Sequence, residues 1–243
     1  MTTKNANWRE WPNGWQVAHV LETGSTNTDL VERAQNGAPT HTVIAADFQT
    51  AGRGRLDRSW EAVRGANLLV SILFRNLTRP QHNFSQIVGL AAARACEQLT
   101  GVRPELKWPN DLLVSGRKLS GLLASGGADF VVVGIGINVN WAPDPAISLR
   151  EIAPDKTLHP AEVLRAMLIA IDEYEAISLD VLHDLYSDSL ATLGAQVRIE
   201  RSDGSALVGQ ATAVDRDGRL VVVDDAGVTQ RIDTGDVIHL RRA

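Results

Sequence analysis

The chain has 243 residues, 44% of them hydrophobic and 22% charged, with a formal charge of −5. That length holds one large domain or a medium domain with a small companion, and the apolar fraction suffices for a packed core. Net acidity argues against a surface devoted to nucleic acid or anionic lipid, the single cysteine, Cys96, excludes an internal disulfide, and neither a secretion signal nor a membrane-spanning run of about 18 apolar residues is present.

Val17 to Leu21 reads as a short strand, and Thr23-Gly24-Ser25-Thr26-Asn27 supplies a turn whose side chains suit the cap of a helix running to about Asn36. Gly37 is placed to end that helix. Thr42 to Phe48 and Asn67 to Phe74 read as strands, separated by the loop Gly52-Arg53-Gly54-Arg55-Leu56-Asp57-Arg58-Ser59-Trp60. Apolar residues at helical spacing from Phe84 to Leu99 predict a long amphipathic helix packed on the sheet. Four further strands follow: Leu106 to Trp108, Asp111 to Val114, Lys118 to Ala124 and Phe130 to Val139. The result is a mixed, largely antiparallel sheet with helices, an α+β fold. Helices are expected at Pro160 to Ala176, opened by its proline, and at Leu179 to Leu193. After Gly194, five short strands (196–201, 207–214, 220–224, 228–233 and 237–240) alternate with Asp-Gly and Ala-Gly turns, the pattern of a small barrel. The domains are therefore expected at 1–192 and 193–243.

Three segments carry chemistry. In the loop, two glycines between arginines give backbone freedom and several guanidinium forks, so Arg53, Arg55 and Arg58 can close over phosphate or carboxylate. Such a loop is expected to order around its ligand, and a solvated loop or a weak RNA-contacting tract is the alternative. In Lys107-Trp108-Pro109-Asn110-Asp111 the proline breaks the strand and presents Asn110 and Asp111 at a turn. A two-residue turn at Ser115-Gly116 sets Leu113 opposite Lys118 and Asp111 opposite Ser120, with Asp111 and Lys118 on one face as diagonal neighbours at about 7 to 8 Å. An ordinary solvated lysine is the other reading of Lys118. In Val133-Gly134-Ile135-Gly136-Ile137-Asn138-Val139, alternation puts Gly134, Gly136 and Asn138 on one side and strips that face of side chains. Either a flat ligand or a closely packed helix would use that face. Cys96 belongs to an alanine-rich helix stripe and reads as core; the histidines show no metal-ligand spacing, so no structural metal is expected.

Taken together, Gly24-Ser25-Thr26-Asn27, Gln49-Thr50-Ala51-Gly52-Arg53-Gly54-Arg55, Lys107-Trp108-Pro109-Asn110-Asp111 with Lys118-Leu119-Ser120-Gly121, and Gly134-Ile135-Gly136-Ile137-Asn138 resemble the biotin protein ligase family in order and spacing. The resemblance implies a catalytic domain of the class II aminoacyl-tRNA synthetase/biotin ligase type and a C-terminal SH3-like β-barrel. It implies that Ser25, Thr26, Asn27 and Gln49 bind the biotin ring system, lined by Gly52 and Gly121. Arg53, Arg55 and Lys118 would hold the carboxylate and the α-phosphate. Arg58 and Trp60 would join the ATP side, the tryptophan covering the adenine, and Lys107, Asn110, Asp111 and Asn138 would serve the nucleotide and its Mg²⁺. The sequence departs from the family at Leu56-Asp57-Arg58, where a glycine commonly precedes the last arginine. About twenty residues precede Ser25, fewer than a DNA-binding helix-turn-helix domain needs, so no DNA partner is expected.

The implied reaction is ATP-dependent activation of biotin as biotinyl-5′-AMP, then transfer to a lysine of a biotin carboxyl carrier domain of an acyl-CoA or pyruvate carboxylase. Lys118 and Arg55 would stabilise the phosphoryl group and Asp111 would orient or deprotonate the amine. No membrane partner is expected; the location is a reducing cytoplasm and the state a monomer or weak homodimer. A lipoate or octanoyl ligase or transferase of the same fold, and a non-catalytic nucleic-acid module using the Gly/Arg loop, are the alternatives.

Overall fold

The apolar runs of the first 140 residues pair into one seven-stranded sheet. The computed structural model describes residues 8–56, 58–200, 204–233 and 235–239. In chain order it begins with β1 (Gln16–Val20), α1 (Thr26–Gln35), β2 (Thr42–Ala46), β3 (Leu68–Arg75) and α2 (Gln81–Thr100). It continues through β4 (Glu105–Lys107), β5 (Asp111–Val114), β6 (Arg117–Gly126) and β7 (Phe130–Ile137). The sheet order is β1-β2-β3-β7-β6-β5-β4, and only β1 and β2 run parallel.

Alternation along the strands sorts side chains to two faces. Val43, Ala45, Ile72, Phe74, Val131 and Val133 join the larger core under α2 and α4 (Pro160–Ala176). Ile44, Leu73 and Val132 meet Leu30 and Ala34 of α1 in a smaller core on the other face. Covered on both sides, β2, β3 and β7 read as continuous apolar runs, as buried strands must.

A short helix, α3 (Leu149–Ile152), escapes the periodicity of the sequence because it spans one turn; a capping box of Ser148 and Glu151 makes it. Pro160 does open α4, with His159 Nδ1 accepting the Ala161 N–H at 3.1 Å. The next helix, α5 (Leu179–Asp188), stops before the expected Leu193. Its following residues turn to bracket β4, with Leu106 N–H donating to the Ser189 carbonyl and Ala191 N–H to the Leu106 carbonyl, each at 2.8 Å.

The C-terminal strands β8 (Gln196–Glu200), β9 (Ala206–Val214), β10 (Leu220–Asp224), β11 (Thr229–Ile232) and β12 (Asp236–His239) form an antiparallel sheet in the order β11-β10-β9-β8-β12. This five-stranded antiparallel sheet is the small C-terminal domain expected; among the described residues it does not close, since β11 and β12 lie at opposite edges. Among those residues, no helix is long and apolar enough to cross a membrane.

Candidate active site

One end of the site is built where β1 hands over to α1. Ser25 occupies the N-cap position with extended backbone, yet its side chain makes no capping hydrogen bond, contrary to the expected role. The helix is instead tied through its first residue: Gln49 Oε1 accepts from the Thr26 N–H at 2.8 Å and from Thr26 Oγ1 at 3.0 Å. With its oxygen committed twice, the Gln49 amide presents N–H donors to the space beside it. Asn27 is anchored to β6, donating to the Leu123 carbonyl and accepting from Ser125 Oγ at 2.7 Å.

The arginine loop folds back as a small hairpin. Arg53 bridges to Ser59, Gly54 N–H donates to the Arg58 carbonyl at 2.7 Å, and Trp60 N–H to the Gly52 carbonyl at 3.0 Å. A Cβ on Gly52 would come within 2.9 Å of the Trp60 carbonyl, so the returning chain leaves room only for glycine. Asp57 lies outside the described residues. Arg55 reaches away from the loop and donates to Asn110 Oδ1 at 3.3 Å and to the Gly235 carbonyl at 3.4 Å.

Opposite the loop, the chain turns at Trp108–Asn110 and enters β5 at Asp111. Asn110 stands in the turn as expected, but Asp111 pairs within the sheet, opposite Lys107 on one side and Gly121 on the other. The Ser115-Gly116 turn does set Leu113 opposite Lys118. An irregularity between Leu112 and Leu113 then places Gly121, not Ser120, opposite Asp111. The unpaired residue is Leu119, fully buried, whose burial the extra residue serves. Lys118 Nζ lies 2.7 Å from Asp111 Oδ1 as an ion pair. The contact is off the line of a hydrogen bond, and that buried oxygen accepts none.

The face emptied by Gly134 and Gly136 is occupied from the protein itself. A Cβ at Gly134 would meet Asn27 of α1 and Ser71 at 3.2 Å, whereas one at Gly136 would strike the Trp60 ring at 2.4 Å. Trp60 thus lies flat against Gly136 and Gly121, with Lys118 Nζ 5.7 Å from its ring centroid and its own Nε1 buried without a partner. A cleft of about 840 Å³, counted to its open mouth, runs from α1 to the Asp111 turn. It is lined by Ser25, Thr26, Asn27, Gln49, Arg53, Arg55, Arg58, Trp60, Asn110, Asp111, Lys118 and Gly121.

Three predicted residues fall elsewhere. Gly52 opens the loop, packed between the Trp60 carbonyl and the Gln49 amide, and Lys107 lines a second cavity behind the Asn110-Asp111 turn. Asn138, almost wholly buried, borders an adjoining recess with Ser59, Trp60 and Lys118, its Oδ1 without a partner. Ser71 was missed; buried at 0% exposure, it lines the cleft and meets Thr26 Oγ1 at 2.9 Å. A lone serine in the apolar run Leu68–Phe74 was the signal available. Cys96 is buried in α2, and desolvation pushes its thiol up to about 12, so it is no nucleophile at neutral pH.

The arrangement joins donors for a small polar ring at one end to cations and a carboxylate at the other, which is equipment for activating an acid with a nucleotide. Residues 20–140 match the Biotin/lipoate A/B protein ligase family, and residues 192–240 match the Biotin protein ligase C terminal domain. The chain is 39% identical to a biotin--[acetyl-CoA-carboxylase] ligase of Mycobacterium tuberculosis, over 94% of this chain and 91% of that protein. It is 30% identical to the bifunctional ligase/repressor BirA of Bacillus subtilis, over 88% of this chain and 70% of that one. The biotin protein ligase of Aquifex aeolicus, solved in complex with biotin and ATP, superposes with a TM-score of 0.79 at 28% identity, covering 93% of this chain and 99% of that chain.

Proposed function

Because the chain belongs to the biotin/lipoate A/B protein ligase family, we propose a division of labour among its cleft residues for the reaction that its relatives are named for. The protein is an ATP-dependent ligase that activates biotin as biotinyl-5′-AMP and transfers the biotinyl group to a lysine of a carboxylase carrier domain. The lipoate alternative is not favoured, since these relatives are named for biotin. What carries the assignment of roles is the cleft itself, with the Thr26–Gln49 pair at one end and the Lys118–Asp111 pair at the other.

The biotin ring system sits by Ser25, Thr26 and Gln49, where the Gln49 N–H groups meet a ureido carbonyl. Its carboxylate points to Lys118 and attacks the α-phosphorus; the bond to the β-phosphate breaks and pyrophosphate leaves. Charge building on the phosphoryl oxygens is met by Lys118, which exchanges Asp111 for phosphate, and by Arg53 and Arg55. Asn138, with its unpartnered oxygen, and Trp60 serve the nucleotide side. The Asp111 carboxylate, once Lys118 had turned from it to phosphate, would hold a Mg²⁺ accompanying the triphosphate, and that ion would supply charge neutralisation to the leaving pyrophosphate.

In the second half-reaction the acceptor lysine attacks the acyl carbon and AMP departs with the bonding electrons. Asp111 takes the proton from the amine. The acceptor is the carrier domain of an acyl-CoA or pyruvate carboxylase, the setting a reducing cytoplasm, and residues 193–243 are a separate small domain. Titration calorimetry with biotin, alone and with a non-hydrolysable ATP analogue, tests the reading: binding of biotin that strengthens with nucleotide supports it, and lipoate binding in preference to biotin would overturn it.

A further inference from the structure

The C-terminal sheet touches the catalytic turn through side chains that do not line the cleft. Thr192, wholly buried, stands between α5 and β8. Its Oγ1 accepts the Trp108 backbone N–H at 3.0 Å and lies 3.2 Å from His239 Nε2 in β12. Desolvation, and then Lys107, lower the His239 pKa and keep the ring neutral. A neutral ring protonated at Nδ1 leaves Nε2 to accept the threonine hydroxyl proton, so one oxygen accepts from Trp108 and donates to His239. The Trp108 indole, 2% exposed, donates from Nε1 to the Gly218 carbonyl at 3.0 Å, in the β9–β10 turn. Both N–H groups of Trp108 therefore end on residues 192–218, two and three positions before Asn110 and Asp111.

That placement matters because the turn has little else to fix it on this side. Asn110 is held to β6 through Leu122, donating from Nδ2 and accepting its N–H, both at 2.8 Å. The strand before it, β4, spans three residues at the sheet edge. Its outer side is covered by residues 189–191, through the two bonds to Leu106. Gly218 is itself locked, since a Cβ there would lie 2.9 Å from His82 in the first turn of α2.

We propose that Thr192 is a positioning residue for the adenylation half-reaction. Its hydroxyl fixes Trp108, and through Trp108 the Asn110–Asp111 turn against Lys118, so the C-terminal sheet is a working part of the nucleotide side of the cleft. The inference rests on the ligase reading above. The biotin end, built from α1, β2 and β3, receives nothing from this network.

Full-length Thr192→Val, Thr192→Ser and Trp108→Phe variants test it, using calorimetry for biotin affinity and pyrophosphate release for ATP kinetics. Thr192→Val is expected to bind biotin within twofold of the unmutated chain while kcat/KM for ATP falls about tenfold, the scale of one buried N–H left without an acceptor. Thr192→Ser restores the rate to within twofold, and Trp108→Phe, which keeps the Thr192 bond but removes the indole bond to Gly218, should show a loss of its own. Unchanged ATP kinetics in Thr192→Val, an equal loss in Thr192→Ser, or a parallel loss of biotin binding would overturn the proposal. Should Thr192→Val fail to fold, Thr192→Ala removes the same acceptor, and unchanged ATP kinetics there would overturn the proposal. No pyrophosphate release from the unmutated chain would bring down the ligase reading and this inference with it.

Discussion

Lys118 and Asp111 meet end to end at 2.7 Å although they are not opposite each other in the β5–β6 ladder, where Leu113 faces Lys118 and Gly121 faces Asp111. Glycine at 121 is what permits it: a Cβ there would lie 3.1 Å from Lys118 Nζ and 3.0 Å from the Trp60 ring. The lysine thus crosses the bare backbone of Gly121 to reach its partner. Lys118, with 41% side-chain exposure against 20% for Asp111, is the member open to exchange, and a phosphate arriving in the cleft can take over the ammonium and release the carboxylate.

Lys118→Ala follows from that exchange. Without the ammonium, developing phosphoryl charge loses a preorganised partner, and biotin-dependent pyrophosphate release should fall on the order of a hundredfold or more. Biotin affinity, set mainly at the α1 end, should change far less. Pyrophosphate release at the unmutated rate would remove Lys118 from the mechanism.

Arg55→Ala should damage a different property. Arg55 bridges the loop to Asn110 and to Gly235, so it ties the cover of the cleft to both sheets. Its loss leaves adenylation partly intact but lets the mixed anhydride escape to water. Biotinyl-AMP appearing free in solution, several-fold above the unmutated protein in a quenched single turnover, is the expected result. Equal retention would refute a covering role.

Much of this was legible because it is local. Alternation and helical spacing gave most strands and helices, Pro160 gave a helix start, and the Ser115-Gly116 turn gave the pairing of Leu113 with Lys118. The rest depends on where distant segments meet. The extra residue at Leu119 moves Asp111 by one rung, and no pattern in the sequence marks it, because burial of that leucine is a property of the assembled core. Trp60 filling the Gly136 slot, and Trp108 bonding to Thr192 and Gly218, join residues 76 to 110 positions apart. Ser25 fails to cap α1 because Gln49, from the far side of β2, ties down the helix start in its stead.

Gly136→Ala probes the Trp60 slot. The new methyl would lie 2.4 Å from ring carbon Cε2 and 2.7 Å from Nε1, so the indole must leave its seat. Overpacking of this kind costs about 1 to 3 kcal/mol, and here the loop, rather than the core, can yield. The expected outcome is a chain of nearly normal thermal stability whose KM for ATP or biotin rises about fivefold to a hundredfold. Unaltered kinetics would mean that Trp60 is free to sit elsewhere during turnover.

Acid should loosen the structure at the histidines that are held neutral. The pKa values of His82, His159 and His239 are all lowered from 6.5, in each case chiefly by desolvation; Asp217 opposes the shift at His82 and Glu162 at His159. Once unfolded, these rings bind protons more readily than in the native chain, so stability rises with pH across the window between the depressed native values and 6.5. The contribution is complete above that point and is lost as pH falls through the native values. Two of the three rings sit where the sheets meet, His82 under Gly218 and His239 beside Thr192, while His159 Nδ1 accepts the capping bond of α4 and cannot do so when protonated. Urea unfolding at pH 7.5, 6.5 and 5.5 should show a small decrease in midpoint at the second and a larger one at the third. His159→Asn keeps an acceptor at the cap but cannot gain a proton, so it should remove part of that decrease. A midpoint that rises between pH 6.5 and 5.5 would contradict the sign of all three shifts.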